Sequence, residues 1–203
     1  IKIESARSEW LDLKKGVPQG SVLGPILFNV FIKDFLYFMQ KTGTTNFADD
    51  NTLSAIGRTL DMNLEALKFD ASTAMDWFSA NFMQANPDKF QLIHIGCDSD
   101  QGIDLDGIHL IPEASVKLLG VHLDSQLSFS KHISEICKKA ALQLNMLKRM
   151  SKVLSSKVKM LLCRFFILSN FQYCFVVWLN CSKSDSYKLE RLQERALRCV
   201  YND

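Results

Sequence analysis

The chain has 203 residues, and 47% of them are apolar, which is enough to bury a substantial core. The net charge of +2 excludes no class of partner, but residues 1–130 carry 10 Lys and Arg against 17 Asp and Glu (net −7), whereas residues 131–203 carry 14 against 5 (net +9). A basic part beside an acidic part fits a polyanion-binding surface next to a metal site. The alternative is a basic helical face that is merely solvated.

The cysteines and histidines show no spacing typical of a zinc site. The six cysteines include no Cys-x-x-Cys pair, so we predict no zinc and expect reduced thiols in an intracellular protein, in the nucleus, the cytoplasm or both. The most apolar region, residues 160–178, is interrupted by Arg164, Asn170 and Gln172, which argues against a membrane span.

Two structural elements are predicted in the first 40 residues: a pair of strands and a helix. Residues 1–15 alternate apolar and polar side chains, which predicts an antiparallel pair of half-buried strands. A helix is then predicted from Ser21, as its N-cap, to about Gln40, with Pro25 tolerated in the first turn. The wide apolar stripe of this helix predicts that it packs on a sheet.

The loop that leads into this helix and the first turn of the helix, residues 16–24 together, are rich in Gly and Pro. Such a loop presents backbone N–H groups and the positive end of the helix dipole, which suits a triphosphate or the backbone of a nucleic-acid strand. The alternative is an ordinary helix start with close backbone contacts at Gly20 and Gly24.

Two adjacent carboxylates form the next motif. The β-prone runs Thr44–Phe47 and Thr52–Ile56 flank Asp49 and Asp50, which predicts a tight hairpin with its acids at the tip. Paired carboxylates repel each other unless a cation lies between them, and their hard oxygen atoms suit Mg²⁺. The alternative is an acidic turn that is simply solvated.

Periodicity predicts the elements beyond this hairpin. They are a helix over residues 60–82 with Trp77 in the core, a strand over residues 90–95, a hairpin that turns at Asp106-Gly107, a helix from Lys131, a helix from Ser155 or Ser156 to about Phe171, and a helix from Ser184 or Asp185 to about Val200.

Several motifs, in this order, resemble one known family. Val17–Pro25 followed by Phe47-Ala48-Asp49-Asp50 resembles the palm domain of reverse transcriptases, and in detail that of jockey-like non-LTR retrotransposons. The segment from Asn86 to Lys89 is similar to the family's Asn-x-x-Lys, and Val116–Asp124 is similar to its primer-grip hairpin. Phe129-x-x-His132-Ile133 also fits the pattern, and the basic helices that follow occupy the thumb position.

The resemblance implies a role for each matching residue. Asp49 and Asp50 would be catalytic metal ligands, and Lys89 would lie near the pyrophosphate leaving group, with a surface lysine in a turn as its alternative. The implied contacts with template, nucleotide and primer fall on Pro18, Gln19, Gly20, Ser21, Phe47 and Gly120. Phe47 replaces the commoner Tyr, and Gly120 would permit close approach of a primer strand or form a bulge in an edge strand.

The resemblance also sets the expected domains and partners. The fold class is α+β: a partial antiparallel polymerase palm over residues 1–127, including the primer-grip hairpin, followed by a small helical thumb over residues 128–203. The implied partners are an RNA template, a DNA primer, deoxynucleoside triphosphates and two Mg²⁺ ions, with no membrane.

One part of the family's catalytic unit has no match in the sequence. The family's first metal-binding aspartate precedes the Pro-Gln-Gly loop at a distance that Asp12 does not meet, and its fingers lie further upstream. We therefore expect a fragment of an RNA-directed DNA polymerase with an incomplete two-metal site, inactive by itself. The alternatives are a non-catalytic nucleic-acid-binding remnant and, less compatible with the acids present, an unrelated Mg²⁺ phosphatase or nuclease.

Overall fold

The computed structural model describes residues 2–3, 6–7, 9, 16–18 and 20–201. Within the predicted strand pair at the start of the chain, β1 (Lys2–Ile3) and β2 (Ala6–Arg7) pair antiparallel. The rest of that expectation, and the predicted site residue Gln19, lie outside the described residues.

Helices and short hairpins alternate along the chain. The strands are β3 (Gly43–Phe47), β4 (Asp50–Ser54), β5 (Ile103–Leu105), β6 (Ile108–Leu110), β7 (Ser115–Leu118) and β8 (Val121–Asp124). The helices are α1 (Gly24–Phe31), α2 (Phe35–Phe38), α3 (Leu60–Ala80), α4 (Ser130–Met150), α5 (Ser156–Leu162), α6 (Ser169–Gln172), α7 (Phe175–Trp178) and α8 (Lys183–Tyr201), with a π-helical segment, Cys163–Leu168, between α5 and α6. The mixture agrees with the predicted α+β class.

The described strands pair two by two, β1 with β2, β3 with β4, β5 with β6 and β7 with β8. The chain divides into two compact units: residues 1–90 with 103–109, and residues 91–102 with 110–203. The β7–β8 hairpin, which the sequence-based prediction groups with residues 1–127, therefore belongs to the same unit as α4 to α8. Among the described residues, no helix has the length and apolarity needed to cross a membrane.

The first unit is built on α3, the predicted helix over residues 60–82. Thr59 begins it with an extended backbone, and its side chain accepts a hydrogen bond from the Met62 N–H at 3.4 Å. Phe35 and Trp77 are buried against each other with ring centroids 5.2 Å apart and their planes at 71°. This edge-to-face geometry suits the quadrupoles of the two rings, and it confirms Trp77 as a core residue.

The predicted helix over residues 21–40 is interrupted in the structure. α1 ends at Phe31, a turn occupies residues 32–34, and α2 adds one further turn. The interruption accompanies burial of Ile32 and Phe35 against Ala74 and Trp77 of α3. The predicted packing of the whole apolar stripe on a sheet is not observed, because four of its side chains (Leu23, Ile26, Leu27 and Val30) are 52–68% exposed.

A buried carboxylate joins α3 to the strand that carries the acidic hairpin. Asp70 is fully buried and accepts hydrogen bonds from three successive backbone N–H groups: Gln40 at 3.0 Å, Lys41 at 2.9 Å and Thr42 at 2.7 Å. The Thr42 hydroxyl donates a fourth at 2.8 Å. Burial acts to raise the pKa of Asp70, but these hydrogen bonds outweigh it and lower the pKa below its ordinary value. The start of β3 is thus fixed to the middle of α3.

The prediction of a strand over residues 90–95 is wrong. Residues 90–95 form no strand, and only an isolated parallel bridge joins Leu92 to Pro112. Leu92 and His94 are buried while their neighbours are more exposed, so the alternation that suggested a strand is real. Proline has no N–H to donate, which limits the ladder, and the Glu113 N–H bonds to the Leu92 carbonyl at 2.8 Å instead.

The core of the second unit lies between the helices. It contains 13 buried residues, including Ile133, Leu144, Ile167 and Val200, contributed by α4, the segment from α5 to α7, and α8. The helix predicted over residues 155–171 is present, with a π-helical central segment, and α7 is an additional short helix that the pattern did not predict.

Asp185 is a second buried carboxylate, and like Asp70 in the first unit it joins segments that are distant in the sequence. It is 2% exposed and accepts hydrogen bonds from the hydroxyls of Ser130 at 2.6 Å and Ser182 at 2.8 Å. Lys188 forms an ion pair with it at 2.7 Å. The Asp185 N–H donates in return to the Ser182 hydroxyl, so Ser182, not Ser184 or Asp185, caps α8. The first residue of α4 is thereby tied to the first turn of α8.

We expect Asp70→Asn to destabilise the first unit by about 2–3 kcal/mol, because hydrogen bonds to a charged group are lost and buried N–H groups face an amide donor. Urea unfolding measures this change. The matched control is Asp76→Asn, which removes an exposed carboxylate from the same helix. Equal stabilities of the two variants would contradict the role assigned to Asp70.

The second unit should lose stability in acid because of Asp185. Burial acts to raise the pKa of this carboxyl, but hydrogen bonds with Lys188, Ser130 and Ser182 outweigh it and lower the pKa. A lowered native pKa stabilises the fold above the unfolded-state value of about 3.9, and this stability is lost as the pH falls through the native value. In urea unfolding between pH 7 and pH 2, Asp185→Asn should weaken this dependence. Glu194→Gln, at an exposed pair with Arg198, should leave it unchanged.

Candidate active site

The predicted acidic hairpin is present. β3 and β4 pair antiparallel from Gly43↔Ser54 to Phe47↔Asp50, so Ala48 and Asp49 form a two-residue turn and Asp50 is the first residue of β4. Ala48 has a φ of +52°, a left-handed conformation that tight hairpin turns of this length require. The predicted tip is therefore confirmed, with one carboxylate in the turn and one on the strand beside it.

Both carboxylates of this tip are open to solvent. Asp49 and Asp50 are exposed, and in the part of the chain that the structure describes no ion pair involves either of them. The neighbouring amide of Asn51 donates to the Asp49 backbone carbonyl at 3.3 Å, which leaves the carboxylate oxygens unused by this contact. Phe47, across the strand pair from Asp50, is 63% exposed.

These donors suit a magnesium ion but do not by themselves enclose one. Carboxylate oxygens are the ligands that Mg²⁺ prefers, and Mg²⁺ is commonly held by one or two carboxylates, with water and substrate phosphates in the other positions. Among the described residues, no group of three or more His, Cys, Asp and Glu is placed to hold a metal. The hairpin thus offers one pair of adjacent carboxylates, fewer ligands than a two-metal site needs.

The Gly- and Pro-rich loop is held together by its own donors. The Ser21 N–H bonds to the Pro18 carbonyl at 3.1 Å, and the Gly24 N–H bonds to the Ser21 hydroxyl at 3.0 Å. A Cβ on Gly24 would lie 2.8 Å from that hydroxyl, so any other residue would displace the Ser21 side chain from this hydrogen bond. Gly20 instead has open space around it and a φ of +84°.

These contacts account for part of the motif without any ligand. Gly24 behaves as the structural alternative required, whereas the exposed Gly20 has a left-handed backbone and no close neighbour. Helix α1 begins at Gly24, three residues after the predicted N-cap, although the Ser21 hydroxyl still accepts the cap-like hydrogen bond.

Lys89 ends a short 3-10 turn, Pro87–Lys89. The Asn86 side chain caps this turn by accepting from the Asp88 N–H at 3.1 Å. The structure therefore explains Asn86 and Pro87 by local geometry and leaves Lys89 exposed. Lys89 lies in the same unit as the acidic hairpin.

Gly120 lies in the second unit, at the turn of the β7–β8 hairpin. Leu119 and Gly120 have φ values of +45° and +86°, the pattern of a two-residue turn with both residues left-handed. Gly120 is thus a turn residue rather than a bulge. The side chain of Tyr173, between α6 and α7, lies against it: a Cβ on Gly120 would be 3.5 Å from the ring.

The positive charge predicted for the C-terminal part is displayed on helix surfaces. The exposed cations on α4 and α8 are Lys131, Lys138, Lys139, Lys148, Arg149, Lys183, Lys188, Arg191, Arg195 and Arg198. Two of them pair with acids on their own helices through exposed contacts, Lys138 with Glu135 and Arg198 with Glu194, which are worth little to stability.

Sequence reasoning missed the residues that position these sites. Asp70 lies within the predicted helix over residues 60–82, and the helical periodicity gives no sign that its carboxylate binds backbone N–H groups near residue 41. The signal for Ser182 is stronger, because Ser182-x-x-Asp185 is a capping pattern at the start of a helix. For Tyr173 the only signal in the sequence is its position between two predicted helices.

Comparison with known proteins gives one family. A family model described as reverse transcriptase (RNA-dependent DNA polymerase) matches residues 2–123. The chain is 27% identical to the probable RNA-directed DNA polymerase from transposon BS of Drosophila melanogaster, over 98% of this chain and 24% of that protein. It is 25% identical to the RNA-directed DNA polymerase from mobile element jockey of the same species, over 98% of this chain and 23% of that protein.

The extent of these matches decides what they show. The chain spans about a quarter of the length of the curated relatives it matches. No solved structure matches it. The family model nevertheless covers more than half of the chain, and the relatives align with nearly all of it. The chain therefore belongs to the reverse transcriptase family, in the branch carried by non-LTR retrotransposons.

Proposed function

We propose that this chain contributes part of the active site and of the primer–template surface of an RNA-directed DNA polymerase. The observation that carries the proposal is the pair of exposed carboxylates, Asp49 and Asp50, at the tip of a hairpin. Asp70 fixes the base of that hairpin to α3, so the acids stand on an anchored support. Membership of the reverse transcriptase family makes nucleotidyl transfer the reaction that such a pair would serve.

In the proposed reaction the primer 3′ hydroxyl attacks the α-phosphate of a deoxynucleoside triphosphate and pyrophosphate leaves. Bound Mg²⁺ would stabilise the charge on the attacking and leaving oxygens. Asp49 and Asp50 would hold the metal, and Lys89 would neutralise charge on the pyrophosphate. Pro18, Gln19, Gly20 and Ser21 would place template and nucleotide together with Phe47, and Gly120 would approach the primer.

We further propose that the two parts of the chain act as palm and thumb, over residues 1–127 and 128–203. The exposed cations of α4 and α8 support binding of a nucleic-acid backbone in the second part. Because the described residues contain one carboxylate pair and no larger metal-binding group, we expect this chain alone to bind template–primer with little or no extension. Extension would then require the longer polypeptide that its relatives possess.

A non-catalytic nucleic-acid-binding role is the second candidate. The observation that favours it is the number of exposed Lys and Arg side chains on α4 and α8, which need no metal to bind phosphates. Such binding would fall steeply with salt and would not respond to substitution of Asp49.

We expect Asp49→Asn to weaken Mn²⁺ binding at the hairpin tip by about 30-fold, because one carboxylate–divalent interaction in water contributes about 2 kcal/mol. The measurement is paramagnetic broadening of the Ala48 amide signal during titration with Mn²⁺. Asp106→Asn is the matched control, since Asp106 is an exposed aspartate in another two-residue hairpin turn, with a φ of +50° that Asn tolerates. Equal binding by both variants would remove the metal assignment.

Primer extension on an RNA template, with Mg²⁺ or Mn²⁺, separates the two candidate functions. Extension by the chain that disappears in Asp49→Asn would show that the remaining acid is supplied by a group not yet identified. Metal binding without extension, with template–primer still bound, is the expected result. Binding of nucleic acid without metal binding at the tip would favour the non-catalytic role.

A further inference from the structure

The turn of the β7–β8 hairpin is held by a residue that lies 54 positions away from it. The Tyr173 hydroxyl donates a hydrogen bond to the Leu119 backbone carbonyl at 2.6 Å. The same ring lies beside Gly120, where a Cβ would be 3.5 Å from Cε1 and 3.6 Å from the hydroxyl oxygen. One side chain therefore contacts both left-handed residues of the turn.

Tyr173 is itself fixed on both sides along the chain. Its N–H bonds to the Ser169 carbonyl at 3.3 Å at the end of α6, and its own carbonyl accepts from the Trp178 indole at 3.3 Å. Cys174, which follows, has a left-handed backbone with a φ of +49°, and this reverses the chain into α7. Trp178 is 7% exposed and belongs to the helical core. The phenol thus projects from a supported corner rather than from a free loop.

The hairpin has a second attachment to the same helical core. The His122 N–H in β8 donates to Nδ1 of the buried His132 in α4 at 3.4 Å. The His132 ring lies 6.4 Å, centroid to centroid, from that of Trp178. Trp178 therefore contacts both residues that hold the hairpin. Its ring lies beside His132, which accepts a hydrogen bond from β8, and its indole N–H bonds to Tyr173, which donates a hydrogen bond to the turn. Two attachments define the angle of a hairpin, whereas one would leave it free to rock.

We propose that Tyr173 is a positioning residue that holds the Leu119-Gly120 turn in the orientation in which it meets the primer strand. That the turn meets a primer strand rests on the proposed polymerase function, whereas the contact between Tyr173 and the turn does not depend on it. Tyr173 would not touch the reacting atoms, and it would act through the turn. Leu119 and Gly120 are both exposed, so the turn is open to a nucleic-acid partner.

The test uses Tyr173→Phe, which removes the hydroxyl and keeps the ring beside Gly120. Tyr187→Phe is the matched control, because Tyr187 is an exposed tyrosine of the same unit whose ring contact with Arg191 a phenylalanine preserves. The first readout is the backbone ¹⁵N order parameter of Gly120 in the full chain, with the Leu119 carbonyl ¹³C shift as the signature of the lost hydrogen bond. The order parameter is expected to fall from about 0.85 to below about 0.6 in Tyr173→Phe only.

The second readout is the ratio of affinities for a template–primer with a recessed 3′ end and for a blunt duplex of equal length. We expect Tyr173→Phe to reduce this ratio by about 5- to 10-fold, the factor corresponding to one hydrogen bond. Urea unfolding should show a stability loss no larger than that of one hydrogen bond, so the fold is kept. An unchanged Gly120 order parameter, or a mobile turn with an unchanged ratio, would overturn the proposal. If the wild-type chain binds the recessed and blunt duplexes equally well, the proposed primer contact itself is contradicted. The wild-type measurement alone gives this result, so failure of the proposed function is distinguished from failure of the role of Tyr173.

Discussion

Each compact unit depends on one buried aspartate that gathers segments distant in the sequence. Asp70 binds three backbone N–H groups before β3, and Asp185 binds hydroxyls from the start of α4 and from the cap of α8. A buried carboxylate is costly unless its oxygens are fully hydrogen-bonded. Both aspartates meet this condition, and the need to meet it selects one arrangement of the surrounding segments.

At the candidate site, the residues that would bind a ligand are therefore different from the residue that holds the backbone in place. Asp49 and Asp50 are exposed and make few contacts, whereas the base of their hairpin is fixed by a fully buried group. The same division recurs in the second unit, where the exposed turn at Gly120 is held through Tyr173 and His132. Exposed side chains can thus meet a ligand while the backbone that carries them is held in place.

Prediction from sequence succeeded where the signal was local. The hairpins at Asp49 and at Asp106-Gly107 follow from turn residues between β-prone runs, and α3, α4 and α8 follow from helical periodicity. Family motifs then indicated candidate site residues that hairpin geometry alone would not distinguish from solvated turns. The reverse transcriptase assignment was confirmed by comparison, whereas the individual site roles stay predictions.

Prediction failed where a distant partner decides the local conformation. The interruption after Phe31 accompanies burial of Ile32 and Phe35 on α3, and the strand expected at residues 90–95 is limited by the proline opposite Leu92. Neither partner is visible in the pattern of the segment itself. The long-range contacts of Asp70 and Tyr173 escaped for the same reason, since a single polar residue carries no periodicity.

The contact of Asp70 also bears on how the first unit forms during synthesis on the ribosome. The strands at residues 43–54 leave the ribosome before Asp70, which is 16 residues beyond Ser54. At about 5–20 residues per second this is a delay of roughly one to three seconds, whereas a hairpin pairs in about 1–10 μs. The acidic hairpin therefore has time to pair and open many times before its anchor exists. Because an isolated two-stranded hairpin is only marginally stable, it becomes fixed when α3 supplies Asp70.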